Sequence, residues 1–194
     1  KFACDNQYSG PVHSCECKSK LYCLTDAMFY DAVRECLAED PVAGLCEKYG
    51  SRTMRFGVMP KWNTRWVTNM NGENETTSTL IGFAGKAEFN GDLSNWDTSR
   101  VTDVSYMFAG SPTFNQDLGA WAVDGVTDLR GMFDGAAAFD QDLGWCVAGD
   151  AAQDGAFVES ACAATACGTS KGTRLYAKDC GGGDDGCGGD LLVG

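Results

Sequence analysis

The chain has 194 residues and a formal net charge of −12, with 15 Lys and Arg against 27 Asp and Glu. This length fits one domain, or one domain with a small accessory module, and the 44% of apolar residues suffice for a buried core. Apolar runs of only a few residues exclude a membrane-spanning helix. The acidity argues against binding to nucleic acid phosphates, because that interaction depends on Lys and Arg.

Eleven Cys are clustered toward the two ends of the chain. This frequency is typical of disulfide stapling in an oxidising compartment, so we predict a secreted or cell-surface protein. The start at Lys1 is what a mature protein without its signal peptide would show. The spacings between the cysteines fit no common zinc module, which favours disulfides over a metal site. The odd count leaves one Cys unpaired or bonded to another chain, and the set is Cys4, Cys15, Cys17, Cys23, Cys36, Cys46, Cys146, Cys162, Cys167, Cys180 and Cys187.

Residues 1–52 are predicted to form a Cys-rich helical cap that is too small to build a core alone. Thr25 is placed to cap a helix over residues 26–38, whose apolar residues fall largely on one face. A second short helix is predicted from Asp40 to Gly50, because Asp followed by Pro is typical of a helix start and Gly of a helix end. Disulfides would hold these helices together.

The central part contains an internal repeat of 25 residues, marked by Phe89, Phe114 and Phe139. The segment FNGDLSNWDTSRVTDVSYMFAGSPT, which starts at Phe89, matches FNQDLGAWAVDGVTDLRGMFDGAAA at 11 of 25 positions without a gap. A third, degrading copy begins FDQDLGWCV. A fourth copy lies upstream and is split by a polar insertion over about residues 71–79.

The period, the strand-like pieces VTDVSYMF and VTDLRGMF and the Gly and Asn turns predict a repeat solenoid. This solenoid would be LRR-like and mainly β, with about three to four coils of 25 residues over residues 53–168 and a C-terminal Cys cap. Residues 169–194 form a Gly- and Asp-rich tail or linker. The predicted repeat core comprises Phe83, Phe89, Leu93, Phe108, Phe114, Leu118, Phe133 and Phe139.

At these residues the chain resembles the BspA-like leucine-rich repeat surface proteins, which are also met as repeats in mycoplasma lipoproteins and secreted proteins of marine microalgae. The resemblance covers about residues 62–168. The family pattern, roughly FNQDLSxWDTSxVTDMSxMFxGA, is matched closely by FNGDLSNWDTSRVTDVSYMFAGS, and the ending GWCV to ACAATACG is similar to the family's Cys-containing finish. The resemblance implies an extracellular solenoid used for adhesion or protein contact.

Residues suited to catalysis are sparse, and we predict that the protein is not an enzyme and carries no cofactor. His13 is the only His, so one chain cannot form a His-dependent triad or a multi-His metal site. The GTSKG at residues 168–172 and the GxGxxG at residues 181–186 match catalytic and nucleotide-binding motifs, but both lack the strand and helix context that those motifs need. A glycosidase built on two carboxylates would require a pair that no spacing selects.

Two columns of the repeat are candidates for binding. Trp96 and Trp121 would form a ladder that could stack on sugars if exposed, although core packing is favoured because each Trp follows a repeat Leu by three residues. Asp92 and Asp117 would form a carboxylate column, for which turn capping is favoured over weak Ca²⁺ binding. Asn74 begins an N-glycosylation sequon inside the polar insertion.

The leading functional hypothesis is a non-enzymatic extracellular structural or interaction protein. Its partners would be other proteins of a cell-surface, filament or matrix assembly, including further copies of itself. The alternative is a glycan-binding, lectin-like adhesion module that uses the Trp column, with Ca²⁺ at the Asp column. The sequence leaves open the partner, the disulfide connectivity, the oligomeric state and any continuation past Gly194.

Overall fold

A computed structural model describes residues 24–46, 56–74 and 79–172. Its elements follow the order α1 (Asp26–Glu39), a 3₁₀ turn (Met59–Lys61), β1 (Glu73–Asn74), β2 (Thr79–Leu80), β3 (Cys146–Ala148), a second 3₁₀ segment (Ala163–Gly168) and β4 (Ser170–Gly172). Predictions on the rest of the chain lie outside the described residues. They concern His13, the GxGxxG stretch and six of the cysteines: Cys4, Cys15, Cys17, Cys23, Cys180 and Cys187.

The helix α1 confirms the first helix prediction to within one residue. Thr25 stands at its N-cap, but its side chain makes no capping hydrogen bond. Its backbone carbonyl accepts the amides of Met28 and Phe29 at 2.9 Å, which are the first hydrogen bonds of the helix. The apolar spacing places one face of the helix in the core. The buried residues of that face are Phe29, Ala32, Val33, Cys36 and Leu37.

The second predicted helix is wrong over the described residues 40–46, which form a turn. The carboxylate of Asp40 accepts the amides of Val42, Ala43 and Leu45 at 2.9–3.1 Å, and this set closes a turn in place of a helical start. Gly44 adds a left-handed residue with φ +67°. The Cys36–Cys46 disulfide returns the chain to α1.

Successive copies of the repeat are joined to each other at equivalent positions. Single parallel bridges connect Asn69 to Asp103, Asp103 to Asp128 and Asp128 to Ala152. Backbone bonds continue on both sides of these bridges, for example from the Thr127 amide to the Thr102 carbonyl at 2.8 Å. The copies therefore lie side by side in a parallel register of 24–25 residues, apart from the split first copy.

The predicted mainly β, LRR-like solenoid is wrong. Within the described ranges the strands are only two or three residues long, and they make two separate two-stranded sheets. The strand-like pieces around Asp103 and Asp128 contribute one bridge residue each and then turn. Two features end the extended backbone there: an Asp side chain that bonds the amide two residues on, and a left-handed residue, Tyr106 at φ +55° or Gly131 at φ +58°.

The interior of the repeats is a set of aligned aromatic rings. Phe114 stacks on Phe89 and Phe139 with ring centroids 5.9 and 6.0 Å apart, and on Phe108 at 3.9 Å. Interplanar angles of 4–6° between Phe114 and its equivalents Phe89 and Phe139 show that these rings keep one orientation from copy to copy. The structure places all eight residues of the expected repeat core at 0–1% exposure: Phe83, Phe89, Leu93, Phe108, Phe114, Leu118, Phe133 and Phe139.

The helix α1 closes one end of this interior. The Asp26 carboxylate accepts the backbone amides of Thr68 and Asn69 at 2.7 and 3.2 Å, and Phe29 packs edge-on against Trp96 at 5.8 Å. The Tyr30 hydroxyl donates to Asn69 Oδ1 at 2.9 Å. Burial, with the nearby Asp103 and Asp26 carboxylates, raises the pKa of Tyr30 above its usual value.

The other end is closed by residues 153–172. There β4 pairs in parallel with β3, with Val147 opposite Lys171. The Cys162–Cys167 disulfide lies against the last copy, because the Cys162 amide bonds the Phe139 carbonyl and the Cys167 carbonyl accepts the Leu143 amide. The described ends of the polar insertion in the first copy pair as the antiparallel strands β1 and β2.

Candidate functional site

The Trp column lies in the core. Trp96 and Trp121 are each 4% exposed and stack with ring centroids 6.5 Å apart. Each indole Nε1–H is already bonded, that of Trp96 to the Met59 carbonyl at 2.9 Å and that of Trp121 to the Leu93 carbonyl at 3.0 Å. Trp145 repeats the arrangement on Leu118 at 3.1 Å. Burial leaves these rings without the open face that stacking on a sugar requires.

The Asp column forms turns at the surface. Asp92 Oδ1 accepts the Ser94 amide at 2.9 Å, and Asp117 Oδ1 accepts the Gly119 amide at 2.8 Å. An Asp side chain that bonds the amide two residues on holds a local turn by itself. No group of three or more His, Cys, Asp or Glu residues that could hold a metal ion comes together among the residues that the structure describes. The Ca²⁺ alternative therefore gains no ligand set here.

A second polar column, next to the Asp column, joins the copies directly. Asn90 Oδ1 accepts the Asn115 amide at 2.9 Å, and Asn115 Oδ1 accepts the Asp140 amide at 3.0 Å. Gln116 and Gln141 add amide donors to the same two Asn side chains at 3.0 and 2.7 Å. Sequence reasoning missed this ladder, although the shared FN at the start of two copies was a signal for it.

The residues joined by the parallel bridges form a bridge column along the copies: Asn69, Asp103, Asp128 and Ala152. Within it, Asp128 and Arg130 form an ion pair, with Arg130 Nη2 2.6 Å from Asp128 Oδ2. Partial burial alone would raise the pKa of Asp128, but the Arg130 hydrogen bonds outweigh it and hold that pKa below its usual value. Asp103, the equivalent residue, instead bonds the amide and hydroxyl of Ser105. These carboxylates are engaged in local structure.

Two disulfides lie where the repeats meet their caps, Cys36–Cys46 and Cys162–Cys167. Cys146 is also disulfide-bonded. Disulfides of this kind are typical of proteins in an oxidising environment. Among the described residues, no helix is both long and apolar enough to cross a membrane.

Two motifs from the sequence fall at the margins of the described part. The backbone of Asn74 lies in β1, paired with Thr79, while the remainder of its sequon lies outside the described residues. The GTSKG stretch overlaps β4, whose Ser170 amide bonds the Trp145 carbonyl at 2.8 Å. A strand paired in this way is not the strand-to-helix turn that a nucleophilic Ser needs.

The side chains that remain available at the surface are different from those that the sequence singled out. Trp66 is 41% exposed, whereas the other four Trp are buried. The Arg100 guanidinium lies 4.4 Å from the centroid of the Trp66 ring, a cation–π contact. Sequence reasoning missed this pair because Trp66 and Arg100 are 34 residues apart across the polar insertion, so the 25-residue period does not align them.

An open groove of about 450 Å³ separates α1 from the first copies, with Arg34, Leu37, Lys86 and Glu88 among its lining residues. Leu37 contributes to an apolar part of its lining, and Arg34, Lys86 and Glu88 contribute charges of both signs. Its lining brings no group of three or more metal ligands together within the described ranges.

The fold and the surface define a class of protein: a repeat protein with disulfides within the chain, whose copies are joined by parallel backbone bridges. A family model described as "Mycoplasma protein of unknown function, DUF285" matches residues 49–166. The match covers more than half of the chain, so the chain belongs to this family. No curated protein and no solved structure matches the chain.

Proposed function

We propose that this protein is a non-enzymatic extracellular interaction module, which makes protein–protein contacts within a cell-surface, filament or matrix assembly. The observation that carries the proposal is the exposed Trp66 with Arg100 packed over its ring. Trp and Arg are enriched among the residues that dominate binding energy at protein interfaces. A Trp that is kept at the surface, while four others are buried in the same chain, is therefore a candidate contact residue.

Many polar side chains on the rest of the repeat surface are already hydrogen-bonded within the protein. Side chains of the Asp column and the bridge column accept backbone amides of local turns, and those of the Asn ladder bond the next copy. Large apolar side chains nevertheless remain 41–58% exposed at several places: Val42, Leu45, Trp66, Leu80 and Val158. Side chains of this kind favour contact with another protein over chemistry on a small substrate.

An extracellular location is part of the proposal. The disulfides need an oxidising environment to form and persist, and the Asn74 sequon would be available for glycosylation in a secreted eukaryotic protein. The resemblance of the repeat to BspA-like surface proteins favours the same location and a role in adhesion or protein contact. Glycan binding through the Trp column has less support, because those rings are buried and their indole donors are bonded.

The proposal is tested on protein isolated from its source by native mass spectrometry and cross-linking, with and without reduction. We expect a complex that contains at least one further polypeptide. Trp66→Ala should weaken that complex while lowering the melting temperature by less than about 4 °C. Val158→Ala, which also trims an exposed apolar side chain, is the matched control. A lone monomer in every preparation would contradict the proposal.

A further inference from the structure

Along one segment of each copy, backbone hydrogen bonds run in a single direction, from the amides of one copy to the carbonyls of the next. In the copy that starts at Phe89 the donors are every second residue: Val104, Tyr106, Phe108 and Gly110. In the copy that starts at Phe114 they are Leu129, Gly131, Phe133 and Gly135, and all eight bonds measure 2.7–3.0 Å. Each of these copies is therefore held to the next by a row of four amides.

The last copy, which starts at Phe139, has the same row of amides without acceptors. Its backbone repeats the conformation of the preceding copy, since Gly155 at φ +68° follows Gly131 at φ +58°. Glu159 at φ +57° likewise follows Gly135 at φ +70°. No group in the part of the chain that the structure describes accepts a hydrogen bond from four amides of this copy. We call them the amide edge: Gln153, Gly155, Phe157 and Glu159.

The amide edge is accessible and lies at the end of a column of rings. Gly155 and Glu159 are exposed, and Gln153 and Phe157 are half-buried. Phe157 stacks on Phe133 with ring centroids 5.8 Å apart, and it stacks on no second ring within the described residues. The side-chain nitrogen of Gln153 is also buried there without a hydrogen-bond partner. The last copy thus offers the groups that join one copy to the next.

The charges around the amide edge favour a neutral acceptor. Asp154 and Glu159 are exposed beside the amides, so an anion such as phosphate would be repelled. Lys171 is already bonded, because its Nζ donates to the Ala151 carbonyl at 3.5 Å. That carbonyl corresponds to the one of Thr127, which accepts an amide of the next copy. Backbone carbonyls, the acceptors used between the copies, are therefore the groups that suit this edge.

We propose that the amide edge binds a backbone segment of a different polypeptide, which adds to the row as a further copy would. The partner segment presents carbonyls at every second residue to the four amides and places an apolar side chain on Phe157. In peptide recognition at an exposed edge, backbone hydrogen bonds give affinity and side-chain contacts give specificity. The amide edge is separate from Trp66, so this inference goes beyond the proposed function.

A second copy of this chain does not fit the amide edge. Two amide edges would face each other donor to donor, so they cannot pair. At the opposite end of the row, the acceptor side is covered by α1. The Asn69 carbonyl, which corresponds to the accepting carbonyls of Asp103 and Asp128, already receives the Tyr30 hydroxyl at 3.4 Å. The partner is therefore a different polypeptide with free carbonyls.

The first experiment measures hydrogen exchange of single amides by NMR in the full chain. We expect the four amides of the amide edge to exchange at about the rate of an unstructured peptide. The equivalent amides of the preceding copy should exchange at least about a hundredfold more slowly. The probe is a terminally capped peptide with residues 126–136 of this chain, VTDLRGMFDGA, because these residues supply the carbonyls that accept the row from the copy before. At up to about 1 mM peptide the four amides should become protected.

The second experiment tests the ring. Phe157→Ala should weaken peptide binding at least tenfold, because it removes the apolar surface beside the amides. Val158→Ala is the matched control and should leave binding unchanged, since the Val158 amide bonds the Gly155 carbonyl at 3.2 Å and is not part of the edge. A scrambled peptide of the same composition should not protect the edge, and this comparison needs only the wild type if Phe157→Ala does not fold.

Three results would overturn the proposal. The first is that the four amides are already protected in the free chain, because another part of the chain or a second copy would then cover them. The second is that the peptide protects none of them, or that the scrambled peptide protects them equally well. The third is that Val158→Ala weakens binding as much as Phe157→Ala.

These outcomes are distinct from those that test the proposed function. Trp66→Ala should leave peptide binding at the amide edge unchanged. A native complex that is weakened by Trp66→Ala, without any protection of the amide edge by the peptide, would overturn this inference and leave the proposed function standing. Protection of the amide edge, with no complex in the native material, would support this inference and contradict the proposed function.

Discussion

Replacing Trp121 by Ala separates a structural role of the Trp column from a binding role. The ring is 4% exposed and lies between Trp96 and Trp145 at 6.5 and 6.3 Å. Truncating a buried Trp to Ala costs about 3–5 kcal/mol. The Leu93 carbonyl loses the indole donor but keeps the Trp96 amide at 3.1 Å, so the lost bond adds at most about 1 kcal/mol.

We therefore expect Trp121→Ala to lower the free energy of unfolding by about 4 kcal/mol. For a chain of this size each kcal/mol corresponds to about 2–4 °C, so the melting temperature should fall by about 8–16 °C. Trp121→Phe keeps most of the ring and should lose only about 1–2 kcal/mol. Trp66→Ala, at an exposed ring, should lose less than about 1 kcal/mol.

The assay is thermal unfolding followed by circular dichroism under non-reducing conditions, together with binding to an array of neutral and acidic glycans. If Trp121→Ala melted within about 2 °C of the wild type and abolished sugar binding, the ring would act at the surface. The assignment of the Trp column to the core would then be refuted, and glycan binding through that column would become the leading function.

Three further changes are tested by urea unfolding, two at joints between copies and one in the turn that follows α1. Asn115→Ala removes the oxygen that accepts the Asp140 amide and should cost about 1–2 kcal/mol; an unchanged midpoint would mean that the ladder adds no stability. Gly131→Ala places a methyl group against the Tyr106 ring at φ +58° and should cost about 2 kcal/mol, falling to about 1 kcal/mol in a Tyr106→Ala background; equal losses in both would contradict the clash. Bonds from the Leu45, Ala43 and Val42 amides hold the pKa of Asp40 below its usual value of 3.8, so its carboxylate contributes stability above that pH and loses it as the pH falls through the folded value. Asp40→Asn should therefore cost about 1 kcal/mol at pH 7 and almost nothing near pH 2, and a cost independent of pH would refute this origin.

The period of the repeat and the identity of its interior residues could be read from the sequence, because both depend on regular spacing. Phe89, Phe114 and Phe139 recur every 25 residues, and a residue that recurs at one position of a stacked repeat meets its own equivalents. The stacking distances of 5.9 and 6.0 Å are the physical result. The helix α1 was predictable for the same reason, since its apolar spacing is local.

The local conformation between the Phe residues was not predictable from the apolar pattern. A piece such as VTDVSYMF alternates well enough for a strand, yet Asp103 bonds the amide two residues on and Tyr106 adopts φ +55°. These local interactions compete with strand formation, and their outcome depends on the neighbouring copy. The turn at Asp40 shows the same competition, where an Asp expected to start a helix bonds three amides of a turn.

The surface turns that follow the interior Trp residues differ between copies, and the way in which the copies are joined explains why. The hydrogen bonds between copies are made by backbone groups and by a few side chains. Examples are the Thr102 hydroxyl, which donates to the Thr68 carbonyl, and the Thr127 hydroxyl, which donates to the Thr102 carbonyl. The central residues of two of these turns, Ser99-Arg100 and Asp124-Gly125, are exposed and take no part in those hydrogen bonds, so their identity has little effect on the frame. Trp-Arg contacts, reversed charges and glycines can therefore differ from copy to copy there while the interior stays constant. A position that varies within a regular frame is where a repeat protein can acquire specificity for a partner.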